Sequence, residues 1–260
     1  MSLIHSLSHF SYGAYCVWLR NILVWRKLLG PALILHFGEP LIYLFGFGYG
    51  IGQLVGDING IAYISFLATG IIASSAMTTA SLEGTYSVFT RMVPQKTYKA
   101  ILTTPIEIDQ IIAGEFLWCA TKAAFSSSAI LIVATLLGLV GSWQALWVLP
   151  IILLSSIAFA APAIIVAALS PTYDYFNYYF TLAVTPMFVL CGVFYPISSM
   201  PDALQTAVQF LPLTHTIELI RPLVLDQAIQ NPLYHLGVLL AYALIGSVLT
   251  IIMVRRIFRS

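Results

Sequence analysis

Between Lys122 and Asp174 the chain runs 51 residues without an Asp, Glu, Lys or Arg. No water-soluble domain is built around such a stretch, since soluble domains carry about a quarter charged residues. Here the figure is 8% over 260 residues, with 60% hydrophobic. Further uncharged runs cover 58–82, 175–201 and 227–254. About 20 apolar residues in a helix cross a bilayer with every backbone hydrogen bond satisfied internally. The 51-residue run is too long for one crossing, and Gly138, Gly141, Ser142 and Trp143 read as a turn that splits it. With the apolar stretch after Pro31, six spans are predicted, over 31–53, 60–82, 109–137, 145–169, 175–195 and 232–254. The fold class is therefore an all-α integral membrane protein. A water-soluble enzyme, a disordered regulator and a nucleic-acid binder built on basic patches are excluded.

A net charge of +1 says nothing about partners, but the placement of the basic residues does. Arg20, Arg26 and Lys27 precede span one, Arg91, Lys96 and Lys99 separate spans two and three, and Arg255, Arg256 and Arg259 follow span six. By the positive-inside rule, both termini and that second loop are cytoplasmic. Residues 1–29 predict an amphipathic helix at the inner membrane surface, with Trp18 and Trp25 at headgroup level. The three cysteines, Cys16, Cys119 and Cys191, lie far apart without a CxxC pair and read as small hydrophobes. In span one, Gly46 with Gly50 and Gly48 with Gly52 form two GxxxG pairs, which suit close packing to a neighbouring span or to a second copy of the chain.

Two hydrophilic stretches interrupt the spans. In residues 91–109, Pro94 is expected to open a short basic helix, and Thr104, Pro105 and Glu107 to cap the next helix as N-cap, N1 and N3. This segment is either an ordinary solvated loop or a docking surface for a cytoplasmic partner. In residues 195–222, one short helix should begin around Ser199, Pro201 and Asp202, and a second at Thr214, ending before Pro222. Helices this short cannot span the membrane, so the stretch is a hairpin dipping in from the outer face or an amphipathic outer loop. Ionisable residues inside spans are functional candidates. They are Glu39, Glu83, Glu115 and Lys122, with His36 nearby. Span ends excuse Glu83 and Glu115, Glu39 is the least easily excused, and Glu115 and Lys122 are too far apart along one helix to be assumed partners. Glu218 and Arg221, at i and i+3, suit a mutual pair or a polar headgroup.

Enzyme signatures are lacking: there is no GxSxG, no HExxH, no clustered histidine and no GxxxxGK[ST] loop. Any ATPase must be another polypeptide. The segment CGVFYPISSMPDALQTAVQFLPLTHTIELIRPLVL (191–225), with its Phe-Tyr-Pro, Leu-Pro-Leu-Thr-His and Arg-Pro elements, resembles the late signature of ABC-2 type exporter permeases. EPLIYLFGFGYGIG (39–52) and residues 66–106 are similar to the NodJ-type permeases of nodulation-factor, or lipo-chitooligosaccharide, exporters. That resemblance implies one ABC-2 transmembrane domain over 1–260, comprising the interfacial helix at 1–29, spans one to five over 31–195, an outer-face re-entrant hairpin at 196–222 and span six at 232–254. It implies a homodimer in a bacterial inner membrane, with two nucleotide-binding subunits that hold ATP and Mg. It also implies a coupling helix that docks through Arg91, Gln95, Lys96, Thr97, Tyr98 and Lys99. The substrate expected from it is an acylated or lipid-linked oligosaccharide, with hydrophobic drugs or other lipids as the alternative. Tyr43, Phe45, Tyr86 and Glu39 are expected along its path, and Pro196, Pro212, His215, Glu218 and Arg221 on the outer hairpin. The aromatics crowding 173–180 suit a path or an interfacial belt. An ion-coupled transporter and a membrane enzyme or scaffold are the competing classes.

Overall fold

In a computed structural model, described over residues 3–27, 29–30, 38, 41–58 and 60–259, the chain is helical apart from one small hairpin. Glu39 and His36, with most of 31–40, lie outside the described residues. Helix α1 covers Leu3–Arg26, and α2 covers Leu41–Val55 with a π-helical stretch at Gly46–Ile51. Strands β1 (Asp57–Ile58) and β2 (Ile61–Ala62) form an antiparallel hairpin turned by Gly60, whose φ of 78° favours glycine. Then follow α3 (Tyr63–Met92), the short α4 (Thr97–Ile101), α5 (Ile108–Leu136) and α6 (Trp143–Leu169). After α7 (174–190) come α8 (Asp202–Val208), α9 (Pro212–Leu225) and α10 (Pro232–Arg259).

Among the described residues, α3, α5, α6 and α10 are the four helices long and apolar enough to cross a membrane, and α2 and α7 are shorter. The protein is a multi-pass membrane protein. The turn expected between spans three and four is present. Gly138 takes a φ of 73°, and the Ser142 hydroxyl accepts the Gln144 amide at the start of α6.

Four sequence expectations are corrected by local chemistry. Span two does not stop at Leu82: α3 continues to Met92, because Glu83 and Arg91 are both neutralised within the protein, and it ends only before Pro94. The capping box of α5 is made by Glu107 and Gln110, not by Thr104 and Glu107. The Gln110 side chain accepts the Glu107 amide at 2.8 Å, while the Thr104 hydroxyl donates backwards to Ile101. In residues 195–222, Ser199 does not cap α8; its hydroxyl donates to the Pro196 carbonyl within a 3-10 turn. α9 starts at Pro212 rather than Thr214 and runs three residues past Pro222, which removes one amide–carbonyl bond from its last turn.

The core is α3 packed on α5 and α6, with α9 and α10 against α6 and α1 along α5. Small residues let these helices close, as in other membrane bundles. Ser127 donates across to the Ile72 carbonyl, Ser75 bonds Ser126, and Thr250 reaches the Ala161 carbonyl. A Cβ on Gly84 would lie 2.7 Å from that of Ala163. Of the two glycine pairs in α2, Gly48 and Gly52 face Ile64 and Tyr63 of the next helix, whereas Gly46 and Gly50 have open space around them.

α1 lies lengthwise on α5, with Gly13, Ala14, Val17 and Asn21 buried between them. Trp18 and Trp25 therefore do not simply mark headgroup level. Trp18 donates to the Thr121 hydroxyl at 2.9 Å, and Trp25 packs edge-on to Trp118 and Phe125. Gly114 sets the spacing: a Cβ there would sit 2.6 Å from that of Val17 and 2.8 Å from the Ala14 carbonyl. Gly114→Ala should push α1 off α5 and destabilise the fold by about 1–3 kcal/mol. Thermal unfolding in detergent, with proteolysis of the N-terminal segment, measures it.

Candidate coupling site and aromatic surfaces

The hydrophilic loop after α3 turns on Lys96, whose φ of 52° and ψ of 26° are left-handed and costly for a non-glycine residue. That turn launches α4. Val93, Pro94, Gln95, Lys96 and Lys99 are exposed and Thr97 is half-buried. Tyr98 is 1% exposed, with its ring 6.0 Å from that of Phe258 near the end of α10. The six residues expected to dock are thus divided: Gln95, Lys96 and Lys99 face outward, whereas Tyr98 and Arg91 point into the protein.

Arg91 forms a two-pronged ion pair with Glu115 of α5, Nε to Oε1 at 2.9 Å and Nη2 to Oε2 at 2.5 Å. Glu115 is fully buried and also accepts the Asn21 amide of α1 at 3.2 Å; Asn21 in turn accepts Arg20. One carboxylate therefore binds α1, the end of α3 and α5. Beside it, burial pushes the Tyr98 phenol well above its usual range, and the negative charge of Glu115 adds to that push. The phenol stays neutral at any physiological pH.

Lys122 does not share a partner with Glu115. It pairs with Glu83 at 2.9 Å, and Glu83 also accepts the Trp118 indole at 2.8 Å. The ammonium lies 5.5 Å from the Trp25 ring centre and 5.7 Å from that of Trp118, within cation–π reach. Snorkelling is thus not what accommodates Glu83 and Glu115; cross-helix pairing is. A third pair, Arg255 with Asp109, ties the end of α10 to the start of α5. Sequence spacing gave no sign of these partners, since each pair bridges different helices.

Two of the aromatic candidates, Tyr43 and Tyr86, sit in separate clusters that both touch α7. Tyr43 stacks on Phe47 at 5.9 Å and meets Phe188 edge-on, and Phe194 closes the group. Tyr86 sits 4.9 Å from Phe176 and also contacts Tyr173 and Phe180. Phe45 lies on another face, exposed and stacked on Tyr49.

On the hairpin, Arg221 does not pair with Glu218. It donates to the Thr69 hydroxyl at 3.0 Å and the Gly192 carbonyl at 2.7 Å, and it covers the Phe66 ring at 3.7 Å. Glu218 is half-buried. Pro196 and Pro212 open the 3-10 turn and α9 respectively. His215, read as scattered, meets His235: their Nδ1 atoms are 2.8 Å apart, and His215 Nε2 lies 2.8 Å from the Gln209 carbonyl. A carbonyl only accepts, so the neutral His215 ring carries its proton on Nε2 and receives a bond from His235 Nδ1–H. Among the described residues, no group of three or more His, Cys, Asp and Glu is arranged to hold a metal.

The sequence matches the ABC-2 type transporter family over residues 14–225. The chain belongs to the ABC-2 type transporter family. This ABC-2 chain is similar to Nodulation protein J of Rhizobium leguminosarum bv. trifolii, 43% identical over 92% of each chain, and to Nodulation protein J of Rhizobium meliloti (strain 1021), 42% identical over 92% of each. It also resembles the inner membrane transport permease YadH of Escherichia coli (strain K12), 26% identical over 76% of this chain and 75% of the relative. Membership implies a transport subunit without its own ATPase site, an ABC ATPase partner and dimerisation.

Proposed function

We propose that this ABC-2 chain is the permease subunit of an exporter that carries an acylated or lipid-linked oligosaccharide outward across a bacterial inner membrane. Two copies pair with two nucleotide-binding subunits, which hold ATP and Mg. The observation that carries this reading is the outward-facing set Gln95, Lys96 and Lys99, mounted on a turn backed by the buried Tyr98 and the Arg91–Glu115 pair. Such a knob transmits force because it cannot yield locally. Positive-inside placement puts that end, with Arg255 and Arg256, in the cytoplasm. The substrate class follows the nodulation relatives, and the two aromatic clusters along α7 offer faces for sugar rings and acyl chains.

Ion coupling is the poorer reading. A proton relay needs acids free to titrate, yet among the described residues the acids within the four long helices, Glu83, Asp109 and Glu115, each hold a basic partner. The test is transport in inside-out vesicles carrying the permease with its co-expressed ATPase subunit, using a fluorescent N-acylated chitotetraose and an apolar cationic dye as probes. ATP-dependent uptake of the chitotetraose supports the proposal. Uptake of the dye alone replaces the substrate class, and uptake that follows an ion gradient without ATP overturns the exporter reading.

A further inference from the structure

The Glu115 carboxylate is the one point among the described residues at which an ion pair and a side-chain hydrogen bond tie α1, the end of α3 and α5 to a single group. Arg91 comes from the last turn of α3, Asn21 from α1, and Glu115 itself from the middle of α5's inner half. Tyr98 is buried beside the same group and carries α4 with it. Bidentate guanidinium–carboxylate pairs fix both distance and angle, which an apolar contact does not. A buried pair of this kind contributes little net stability over well-packed hydrophobic residues, so its distinctive property is geometric definition.

We infer that Glu115 and Arg91 are positioning residues that fuse α1, the end of α3 and the start of α5 into one rigid block bearing the basic helix α4. Displacement of α4 is then passed undiminished to α1 and α3. The inference rests on the exporter reading only for the source of that displacement.

The experiment measures the distance between spin labels at Tyr12→Cys on α1 and Ala100→Cys on α4, in a Cys16→Ser chain, by pulsed electron resonance. Both label sites are exposed. In complexes that pair one labelled chain with one unlabelled copy, the parent should give one narrow distance distribution, identical with and without ATP–vanadate trapping of the associated ATPase. The double variant Arg91→Met, Glu115→Leu removes both charges together and should keep the parent's melting temperature while at least doubling the width of the distribution. Asn21→Ala, which cuts only the α1 branch, should also broaden it and guards against misfolding of the double variant. A distribution of parental width in both variants, or a parental distance that shifts on trapping, would overturn the inference. If no ATPase associates with the parent, the exporter reading fails on its own, while the nucleotide-free widths still decide whether the block exists.

Discussion

Reversing Lys96 and Lys99 to glutamate should strip the ATPase subunit from the purified complex while leaving the permease folded. Both side chains are exposed and neither takes part in an ion pair among the described residues, so the change removes no internal contact. Lys96 keeps its left-handed backbone cost whichever long side chain it carries. At a docking surface, however, like charges facing each other cost several kcal/mol. A loss of about 3 kcal/mol over the two sites weakens association on the order of a hundredfold. The same electrostatics make wild-type association salt-sensitive, because exposed charges are screened beyond roughly 10 Å at 0.1 M salt. Size-exclusion chromatography with an ATPase assay reads both effects. An unchanged complex with the double reversal would show that this loop is only a solvated turn.

The features that sequence made legible are those written in local chemistry. The turn at Gly138–Ser142 needs glycine dihedrals and a capping hydroxyl, and both are visible as residue types. Three of the four long helices, α3, α6 and α10, declare themselves by uncharged runs. What failed was reading a charge without its partner. Glu83 reads as the end of span two, yet its cation lies on α5 at Lys122, and the helix runs on to Met92. The family resemblance implies Arg91 in a docking surface, yet Glu115 draws it inward. His215 and His235 are twenty residues apart on different helices, so no periodicity links them. Pro222 reads as a stop, yet α9 runs three residues past it at the cost of one amide–carbonyl bond. In a chain with so few charges, their partners are set by how whole helices pack, which local sequence does not encode.

The Glu83–Lys122 pair offers the largest stability effect. Glu83→Leu leaves the Lys122 ammonium buried with only the faces of Trp25 and Trp118 to hold it, and it deprives the Trp118 indole of its acceptor. Removing one member of a buried pair costs about 3–5 kcal/mol, because the remaining charge is desolvated without compensation. Lys122→Met should cost a similar amount by stranding the carboxylate. The double variant Glu83→Leu, Lys122→Met strands neither charge and should melt at or above the wild-type temperature, giving a coupling energy of several kcal/mol in the thermodynamic cycle. Melting in detergent for the four proteins measures it. Additive single losses would mean that the two residues stabilise the fold independently, and the pair would then not explain how α3 carries Glu83 through the membrane. A stable double variant with lost transport would place the value of these charges in helix register rather than in stability.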